Sequence, residues 1–346
     1  MSPIDSPTSL YPKRVIWFAY FNIFVVWGST FLAISYGLKG FPPFVLSGLR
    51  YLTAGILLFV WRLSRGDRSV SRGDWTTNTV SGFFILALGT GLVTWAEQYV
   101  SSTEASIVTA SGPFWFIALD KKRWRYYFER RAIVAGLVVG FAGLLLFLSS
   151  SLSVFSGAYL GYKKLVAFGA LMISSVSWVT GALYSRSRPT GTSTFMNTAQ
   201  QLLSTSAVCM IVATMRGEWR DLDWSQIPAA SWLGLLFLII MGSIITYLSY
   251  IFLLTVRNPA QVSTHTFINP IVAAALGWLF TGEGISWLQG AGLLVILIGV
   301  GLTNRSSSQE KRATGMARFR PKISLYRRIP SNKLRRDATR GMHARR

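Results

Sequence analysis

The sequence predicts an all-α integral membrane protein with ten transmembrane helices, and three observations support this fold class. Hydrophobic residues make up 51% of the 346 residues and charged residues only 14%, whereas soluble domains contain about 25% charged residues. Apolar stretches of roughly 18 to 23 residues recur with short polar gaps, and each is long enough to cross a hydrocarbon core of about 30 Å. Lysine and arginine are concentrated in every second gap.

The apolar stretches give the positions of the ten helices. They lie at 15–37, 43–62, 78–100, 103–119, 132–150, 164–185, 195–215, 231–254, 260–281 and 286–303. Each stretch must be helical because a backbone amide without a hydrogen bond costs several kcal/mol in lipid. The first helix follows Lys13 and Arg14, as in a signal peptide, but its apolar run is longer than the hydrophobic region of such a peptide. We therefore expect it to be retained as a membrane span.

The distribution of positive charge predicts the orientation in the membrane. If the gaps are assigned to alternating sides, 29 of the 35 Lys and Arg residues fall on one side and five on the other, while Arg50 lies inside the second helix. Positively charged loops tend to remain in the cytoplasm. We therefore expect a multi-pass protein of the plasma membrane with both termini, including residues 1–14, in the cytoplasm.

The last segment, 304–346, differs in composition from the rest of the chain. It contains 14 Lys and Arg residues against Glu310 and Asp337, and few apolar residues. This composition predicts a disordered basic tail. The tail is either a solvated topology anchor or a contact to anionic lipid, at about 1 kcal/mol per basic residue near the surface. The net charge of +22 would also suit nucleic-acid binding, but its distribution over the loops argues against that function.

Residue types that membrane enzymes commonly need are scarce. The chain contains one cysteine, Cys209, and two histidines, His265 and His343, so we expect neither a disulfide nor a metal site. No Gly-rich loop ending in Gly-Lys-Ser or Gly-Lys-Thr indicates the use of ATP. We predict no catalytic residues and no cofactor, and a secondary transporter of small-molecule substrates fits best. A lipid-modifying enzyme and a membrane scaffold with a lipid-binding tail are the alternatives.

Two segments of the sequence align with each other without a gap. Residues 101–113 open the fourth helix and residues 258–270 open the ninth. The shared positions are Ser106/Ser263, Thr109/Thr266 and Pro113/Pro270. The two halves of the chain, 15–150 and 151–303, contain five predicted helices each, and an odd number inverts the second half relative to the first. Transporters use such inverted five-helix repeats to build two related gates around one central site.

Four passages carry a family resemblance. The first helix contains Trp-Gly-Ser-Thr-Phe at 27–31, the second Leu-Arg-Tyr at 49–51, the third Trp-Ala-Glu-Gln-Tyr at 95–99, and the ninth runs from Ile-Asn-Pro into Gly-Glu over 268–283. The chain thereby resembles the EamA-like branch of the drug/metabolite transporter superfamily. The resemblance implies two inverted EamA units, a central cavity and the movement of metabolites, amino acids, amines or drugs, usually as export. Residues 118–125 depart from the pattern, because a basic run replaces the expected apolar one.

Two ionisable residues lie inside predicted helices. Arg50 is about seven residues into the second helix, where an ionised side chain costs at least about 2.5 kcal/mol unless it is paired or faces water. It either pairs with Glu97 in the third helix, or it meets a substrate carboxylate or takes part in gating. His265 in the ninth helix is either a neutral packing residue or a group for proton coupling.

Four aromatic residues lie well inside predicted helices, away from the membrane interfaces where such residues are usually enriched. They are Trp27, Trp95, Trp178 and Tyr247. They either pack in the core or line a cavity that stacks planar or cationic substrates.

Pro113 and Pro270 mark repeat-related kinks, because proline lacks a backbone donor and leaves a carbonyl free. We predict that both act as hinges. Thr109 and Thr266 lie four residues earlier on the same helix face, and Asn269 directly precedes the second proline. The sequence thus predicts one central, aromatic cavity with few polar groups, in which Thr266 and Asn269 supply hydrogen bonds and the guanidinium of the second helix lies on the outer side.

Overall fold

The structure, a computed structural model, describes residues 12–67, 71–121, 124–129, 131–153, 158–220, 222–256, 262, 265–282, 284 and 286–314. Within these ranges the chain is helical and contains no strand, which confirms the all-α fold class. Residues up to Ser308 form one compact unit. The predicted N-terminal segment before Pro12 and most of the predicted tail lie outside the described residues.

The helices follow one another through the two halves of the sequence. The first half contains α1 Lys13–Gly37, α2 Pro43–Ser64, α3 Arg72–Ala96, α4 Ser102–Thr109, α5 Gly112–Leu119, α6 Trp124–Phe128 and α7 Arg131–Ser153. The second half contains α8 Ala158–Ser187, α9 Thr194–Met215, α10 in the consecutive segments Ala229–Phe237, Leu238–Thr246 and Tyr247–Val256, α11 His265–Thr281 and α12 Trp287–Thr314. α12 continues to Thr314, beyond residue 304 where the predicted tail begins.

Five of these helices are long and apolar enough to cross a membrane. They are α1, α2, α3, α8 and α10. Shorter apolar stretches occur in α7, α11 and α12. The described residues therefore support a multi-pass membrane protein, and the count of ten spans stays a prediction.

Local sequence signals specify where several helices begin. Pro43 occupies the first turn of α2, where its missing N–H would lack an intrahelical partner in any case. The hydroxyl of Ser71 accepts a hydrogen bond from Asp74 N at 3.0 Å, and that of Ser193 accepts one from Met196 N at 3.2 Å. Such N-caps stabilise a helix by about 1 kcal/mol, and they fix the starts of α3 and α9.

The predicted fourth helix, 103–119, is wrong as a continuous element. The chain forms two short helices, α4 and α5, and Pro113 lies in the first turn of α5. A proline ring inside a helix clashes with the carbonyl four residues earlier, which here belongs to Thr109, the last residue of α4. The predicted kink is therefore a complete break. Pro270, its repeat-related counterpart, remains inside α11.

Among the residues that the structure describes, π-helical segments occur at Asn22–Val26 in α1, Phe83–Thr90 in α3 and Leu238–Thr246 in α10. Such a segment replaces the regular α-helical hydrogen bonds of the backbone with a wider π-helical pattern. Side chains on α8 bond to carbonyls of the segment in α3: Ser177 Oγ donates to Phe84 O at 2.9 Å and Ser174 Oγ to Gly89 O at 2.5 Å. Helix α8 thus supplies hydrogen-bond donors to two backbone carbonyls of the π-helical segment in α3.

Glycines bring α7 and α12 into backbone contact. A Cβ on Gly299 would lie 2.3 Å from Gly140 N, and one on Gly143 would lie 2.6 Å from Ile296 N. A Cβ on Gly292 would lie 2.9 Å from Phe147 N. We call these four glycines the glycine contact. It agrees with the expectation that small residues let helices approach closely in a membrane.

Candidate functional site

Four rings meet where α1, α8, α10 and α11 come together. Trp27 stacks on His265, with centroids 5.1 Å apart and an interplanar angle of 12°. Trp27 also makes edge contacts with Trp178 at 5.5 Å and Tyr250 at 5.2 Å. Tyr250 lies 6.0 Å from Trp178 and 5.7 Å from His265. We call these four residues the aromatic cluster, and their offset and edge contacts are those that aromatic rings prefer.

Backbone features of the helices position the cluster. Trp27 follows directly on the π-helical segment of α1. Trp178 lies against Gly89, where a Cβ would come within 3.2 Å of the indole. His265 is the first residue of α11, and its Nδ1 lies 2.8 Å from Val262 O. Because a carbonyl oxygen can only accept, Nδ1 carries the proton of that hydrogen bond, and Nε2 of the neutral ring is an acceptor.

Sequence reasoning pointed to Trp27, Trp178 and His265, which the structure brings together, but it missed Tyr250. That residue lies three positions after Tyr247 on α10, so the spacing of neighbouring helix positions could have indicated it. Trp95 lies elsewhere: it packs against Tyr99 with centroids 5.3 Å apart, and its indole nitrogen has no hydrogen-bond partner in the described part of the chain.

Tyr247 belongs to a buried polar network instead of the aromatic cluster. Its hydroxyl donates to Gln201 Oε1 at 2.5 Å. Gln201 Nε2 donates to Asn78 Oδ1 at 3.2 Å, and Asn78 Nδ2 reaches Gln200 Oε1 at 2.6 Å and Asn197 Oδ1 at 2.8 Å. These five residues, which we call the polar network, join α3, α9 and α10. The interior is therefore more polar than the sequence led us to expect.

Asn269 contacts the backbone of α1. With its amide oriented so that both side-chain atoms are satisfied, Nδ2 donates to Ile23 O at 3.0 Å and Phe24 O at 3.1 Å. The same nitrogen donates to His265 O at 3.1 Å. Both α1 carbonyls lie in the π-helical segment, so Asn269 ties α11 to α1 beside the aromatic cluster. This role is one of helix packing.

Arg50 is buried between the two halves of the chain. Its Nε donates to Ser243 Oγ on α10 at 2.7 Å, and its guanidinium lies over the ring of Tyr51 at 5.1 Å. The Tyr51 hydroxyl in turn hydrogen-bonds Thr90 on α3. No direct ion pair within 4.0 Å joins Arg50 to Glu97 among the described residues, but the buried Glu97 carboxylate is near enough to interact favourably with the guanidinium charge.

The two threonines of the repeat motif lie differently from each other. Thr109 Oγ1 returns to its own helix, where it contacts the carbonyls of Ala105 and Ser106 at 3.0 Å. Thr266 is half-buried on α11. The preceding repeat positions 258–261 and 263–264 lie outside the described residues.

A contiguous set of contacts links Arg50 to the aromatic cluster. Thr30 Oγ1 donates to Trp27 O at 2.6 Å. A Cβ on Gly242 would lie 2.9 Å from Arg50 Nη2 and 3.3 Å from Thr30 Cγ2. On the other side, Thr90, the hydrogen-bond partner of Tyr51, follows the glycine that contacts Trp178. The cation and the four rings therefore belong to one interior region.

A second buried charge is balanced within the protein. Glu104 Oε1 on α4 lies 2.6 Å from Lys164 Nζ on α8, and both side chains are buried. Glu104 also forms a capping box with Ser101 at the start of α4. The sequence analysis did not identify this ion pair between the two halves.

Comparison with known proteins identifies the family. Residues 15–149 and, separately, residues 165–305 match the family described as the EamA-like transporter family. The chain belongs to this family. The match confirms the resemblance found in the four sequence passages, and it establishes a membrane transporter.

Individual relatives cover most of the chain. The uncharacterized inner membrane transporter YedA of Escherichia coli strain K12 is 32% identical over 284 residues, which are 82% of this chain and 88% of YedA. The uncharacterized transporter YvbV of Bacillus subtilis strain 168 is 25% identical, over 84% of this chain and 91% of YvbV. The WAT1-related protein At3g02690, chloroplastic, of Arabidopsis thaliana is 24% identical, over 83% of this chain and 69% of that protein.

A solved crystal structure shares the fold. It superposes with a TM-score of 0.59 and 18% identity, and the match covers 87% of this chain and 100% of that one. No group of three or more His, Cys, Asp or Glu residues suited to a metal ion occurs among the residues that the structure describes.

Proposed function

We propose that the chain is a secondary transporter that exports small organic solutes across the plasma membrane by alternating access. Its ten helices would form two inverted repeats, 15–150 and 151–303. The two separate family matches support this division. The π-helical segments of α3 and α10 also support it, because these helices are the third and eighth of the predicted ten and thus correspond in the two repeats. The name of the relative YedA, an uncharacterized inner membrane transporter, agrees with a location in the plasma membrane.

The observation that carries the proposal is the aromatic cluster. Trp27 comes from the first half, whereas Trp178, Tyr250 and His265 come from the second. Inverted-repeat transporters bind their substrate where the two repeats meet. A site made from both halves changes shape when one half moves against the other, which is the requirement for alternating access.

His265 is the group that we propose for proton coupling. Its Nδ1 is engaged by Val262 O, so Nε2 is the nitrogen that can take up a proton. A protonated imidazole stacked on Trp27 would gain a cation–π interaction. A neutral packing histidine would instead leave transport independent of a proton gradient, so dissipating the gradient with an ionophore tests this role.

The topology that we propose places both termini in the cytoplasm, with the basic tail close to anionic lipid. An epitope attached after Arg346 should resist protease added to intact cells and become sensitive when the cells are opened. Cleavage in intact cells would contradict the ten-span topology.

The transport proposal is tested with variants of the aromatic cluster. Uptake and efflux are measured for amino acids, polyamines and cationic dyes in cells that express the chain and in vector controls. We expect Trp27→Ala, Trp178→Ala and Tyr250→Ala to change the apparent affinity or the range of solutes at equal expression, because these rings face one another across the two halves.

Leu236→Ala and Leu294→Ala are matched controls, because both leucines are exposed on the outer surface of their helices. They should leave transport close to that of the parent chain. Equal effects of cluster and control variants would remove the basis for this site, and absence of any transported solute would argue against a transporter of the proposed classes.

A further inference from the structure

We propose that Arg50 binds the carboxylate of the transported solute, so that the chain selects organic monocarboxylates with an apolar or aromatic body over organic cations. This inference rests on the proposed function and names the substrate class of the same site.

The hydrogen bonds of Arg50 leave most of its donors unused. The residue is 7% exposed, and its Nε donates to Ser243. The two terminal nitrogens donate to no residue in the described part of the chain. A guanidinium carries five N–H donors in a planar fork that matches a carboxylate with two parallel hydrogen bonds. A buried cation with free donors inside a membrane protein is costly unless an anion or water meets it.

The surroundings of Arg50 hold the guanidinium in place. Ser243 fixes Nε, and the ring of Tyr51 supports the guanidinium plane. A Cβ at residue 242 would come within 2.9 Å of Nη2, so a larger residue there would displace the end of the guanidinium. The terminal nitrogens are thereby presented between α2 of the first half and α10 of the second.

Two further buried hydroxyls lie one helical turn from these contacts. Ser47 is three residues before Arg50 on α2, and Thr246 is three residues after Ser243 on α10, so each shares a helix face with its neighbour. Ser47 is 1% exposed and Thr246 is fully buried. Neither hydroxyl has a hydrogen-bond partner among the residues that the structure describes. Buried polar groups are normally satisfied, so both hydroxyls are available to the oxygens of a bound carboxylate.

The aromatic cluster supplies the place for the body of the solute. It is joined to Arg50 through Thr30 and Gly242 on one side and through Tyr51 and Thr90 on the other. Aromatic rings alone also attract organic cations. The Arg50 guanidinium, in contrast, can form two parallel hydrogen bonds with a carboxylate and none with a cation. Its donors therefore favour a carboxylate.

The experiment uses purified full-length protein in detergent and matched ligands. Benzoate, phenylacetate, 3-phenylpropionate and hexanoate are each compared with the neutral amide and the amine of the same carbon skeleton. Binding is measured from the ligand-dependent rise of the thermal unfolding midpoint. We expect the acids to bind about tenfold or more tightly than the amides, because a hydrogen bond to a charged group is worth more than a neutral one. The amines should not bind measurably.

Arg50→Gln should abolish the preference for the acid, and Arg62→Gln should preserve it. Arg62 is a matched control because it pairs with Asp67 at 3.1 Å at the end of α2, away from the site. If Arg50→Gln does not fold, Arg50→Lys takes its place. This variant keeps the charge but lacks the fork, and it should bind the acids about tenfold more weakly.

Three results of the binding experiment overturn the proposal. Either no acid of the panel binds, or amides or amines bind as tightly as the acids, or the Arg50 variants keep the parent affinity for the acids. Transport of amines or neutral solutes without any carboxylate would overturn this inference and leave the proposed transporter function intact. Loss of all transport would instead reject the proposed function itself.

Discussion

The polar network and the glycine contact hold helices together by opposite means. In the polar network, long side chains such as Asn78 and Gln201 span the gap between α3 and α9 and bond to one another. In the glycine contact, the absence of side chains on Gly140 and Gly299 lets the backbones of α7 and α12 touch. The first arrangement depends on donors and acceptors that match, and the second depends on shape alone.

The difference indicates which parts of the molecule we expect to change conformation during transport. Helices in lipid gain little from apolar burial, and close packing of small residues stabilises them where nothing has to move. Hydrogen-bonded side chains can exchange one partner for another, or for water or a solute. The polar residues are concentrated between α2, α3, α9 and α10, beside Arg50 and the aromatic cluster. We therefore expect variants in the polar interior to affect both stability and transport, and variants in the glycine contact to affect stability only.

The largest effect is expected for Asn78→Leu. The change leaves Gln200 Oε1 and Gln201 Nε2 without their present partner, and each orphaned buried group costs about 1–3 kcal/mol. Asn197 Oδ1 keeps its hydrogen bond from Thr192. We predict a loss of about 3 kcal/mol or more, measured as a lower unfolding midpoint in detergent. Thr76→Ala is the control, because Thr76 is exposed on the same helix. Similar midpoints for the two variants would show that the network contributes little.

The next largest effect is expected for Gly299→Ala. The new methyl group would meet the backbone of Gly140 at 2.3 Å, and overpacking of this kind costs about 1–3 kcal/mol. Gly301→Ala on the same helix has no atom within 4 Å of the new Cβ. It should be neutral or slightly stabilising, because alanine favours a helix over glycine by about 0.5–1 kcal/mol. Opposite signs for two identical substitutions would establish the glycine contact, and equal signs would contradict it.

Asn269→Ala should have a smaller effect, because it removes one amide and inserts no group into a packed contact. We expect a loss of about 1–2 kcal/mol from the unpaired carbonyls of Ile23 and Phe24. Substrate selectivity should change little if Asn269 only ties α11 to α1. A variant with normal stability and altered selectivity would place Asn269 in the binding site, as the sequence first led us to expect.

Tyr247→Phe should have the smallest effect. It removes one hydroxyl from the polar network and leaves Gln201 Oε1 without this donor, at a cost of about 1 kcal/mol. A double-mutant cycle with Gln201→Leu would isolate this bond. A coupling energy near zero would show that the hydroxyl and the amide do not interact in solution.

The two prolines show where sequence reasoning stops. The alignment of Pro113 with Pro270 predicted equal kinks, since proline has the same effect on the local backbone in both segments. In the structure the chain breaks before Pro113 but stays helical through Pro270. Beside Pro270, Asn269 donates to a carbonyl of its own helix and to two of α1. Such a contact depends on a neighbouring helix, so no local pattern contains it.

The sequence by itself determined the all-α membrane fold, the positions of most helices and the family, because apolar length and local motifs are properties of consecutive residues. It also identified Trp27, Trp178, His265 and Arg50 as unusual inside a membrane. The tertiary structure decided that three of these meet Tyr250, that Arg50 bonds Ser243, and that Tyr247 joins a polar network instead. Apart from Tyr250 and His265, those partners lie more than 40 residues apart in the chain. Which side chains meet depends on how helices rotate and pack against one another. That rotation is set by close contacts such as those at Gly28, Gly82 and Gly234, which only the assembled helices define.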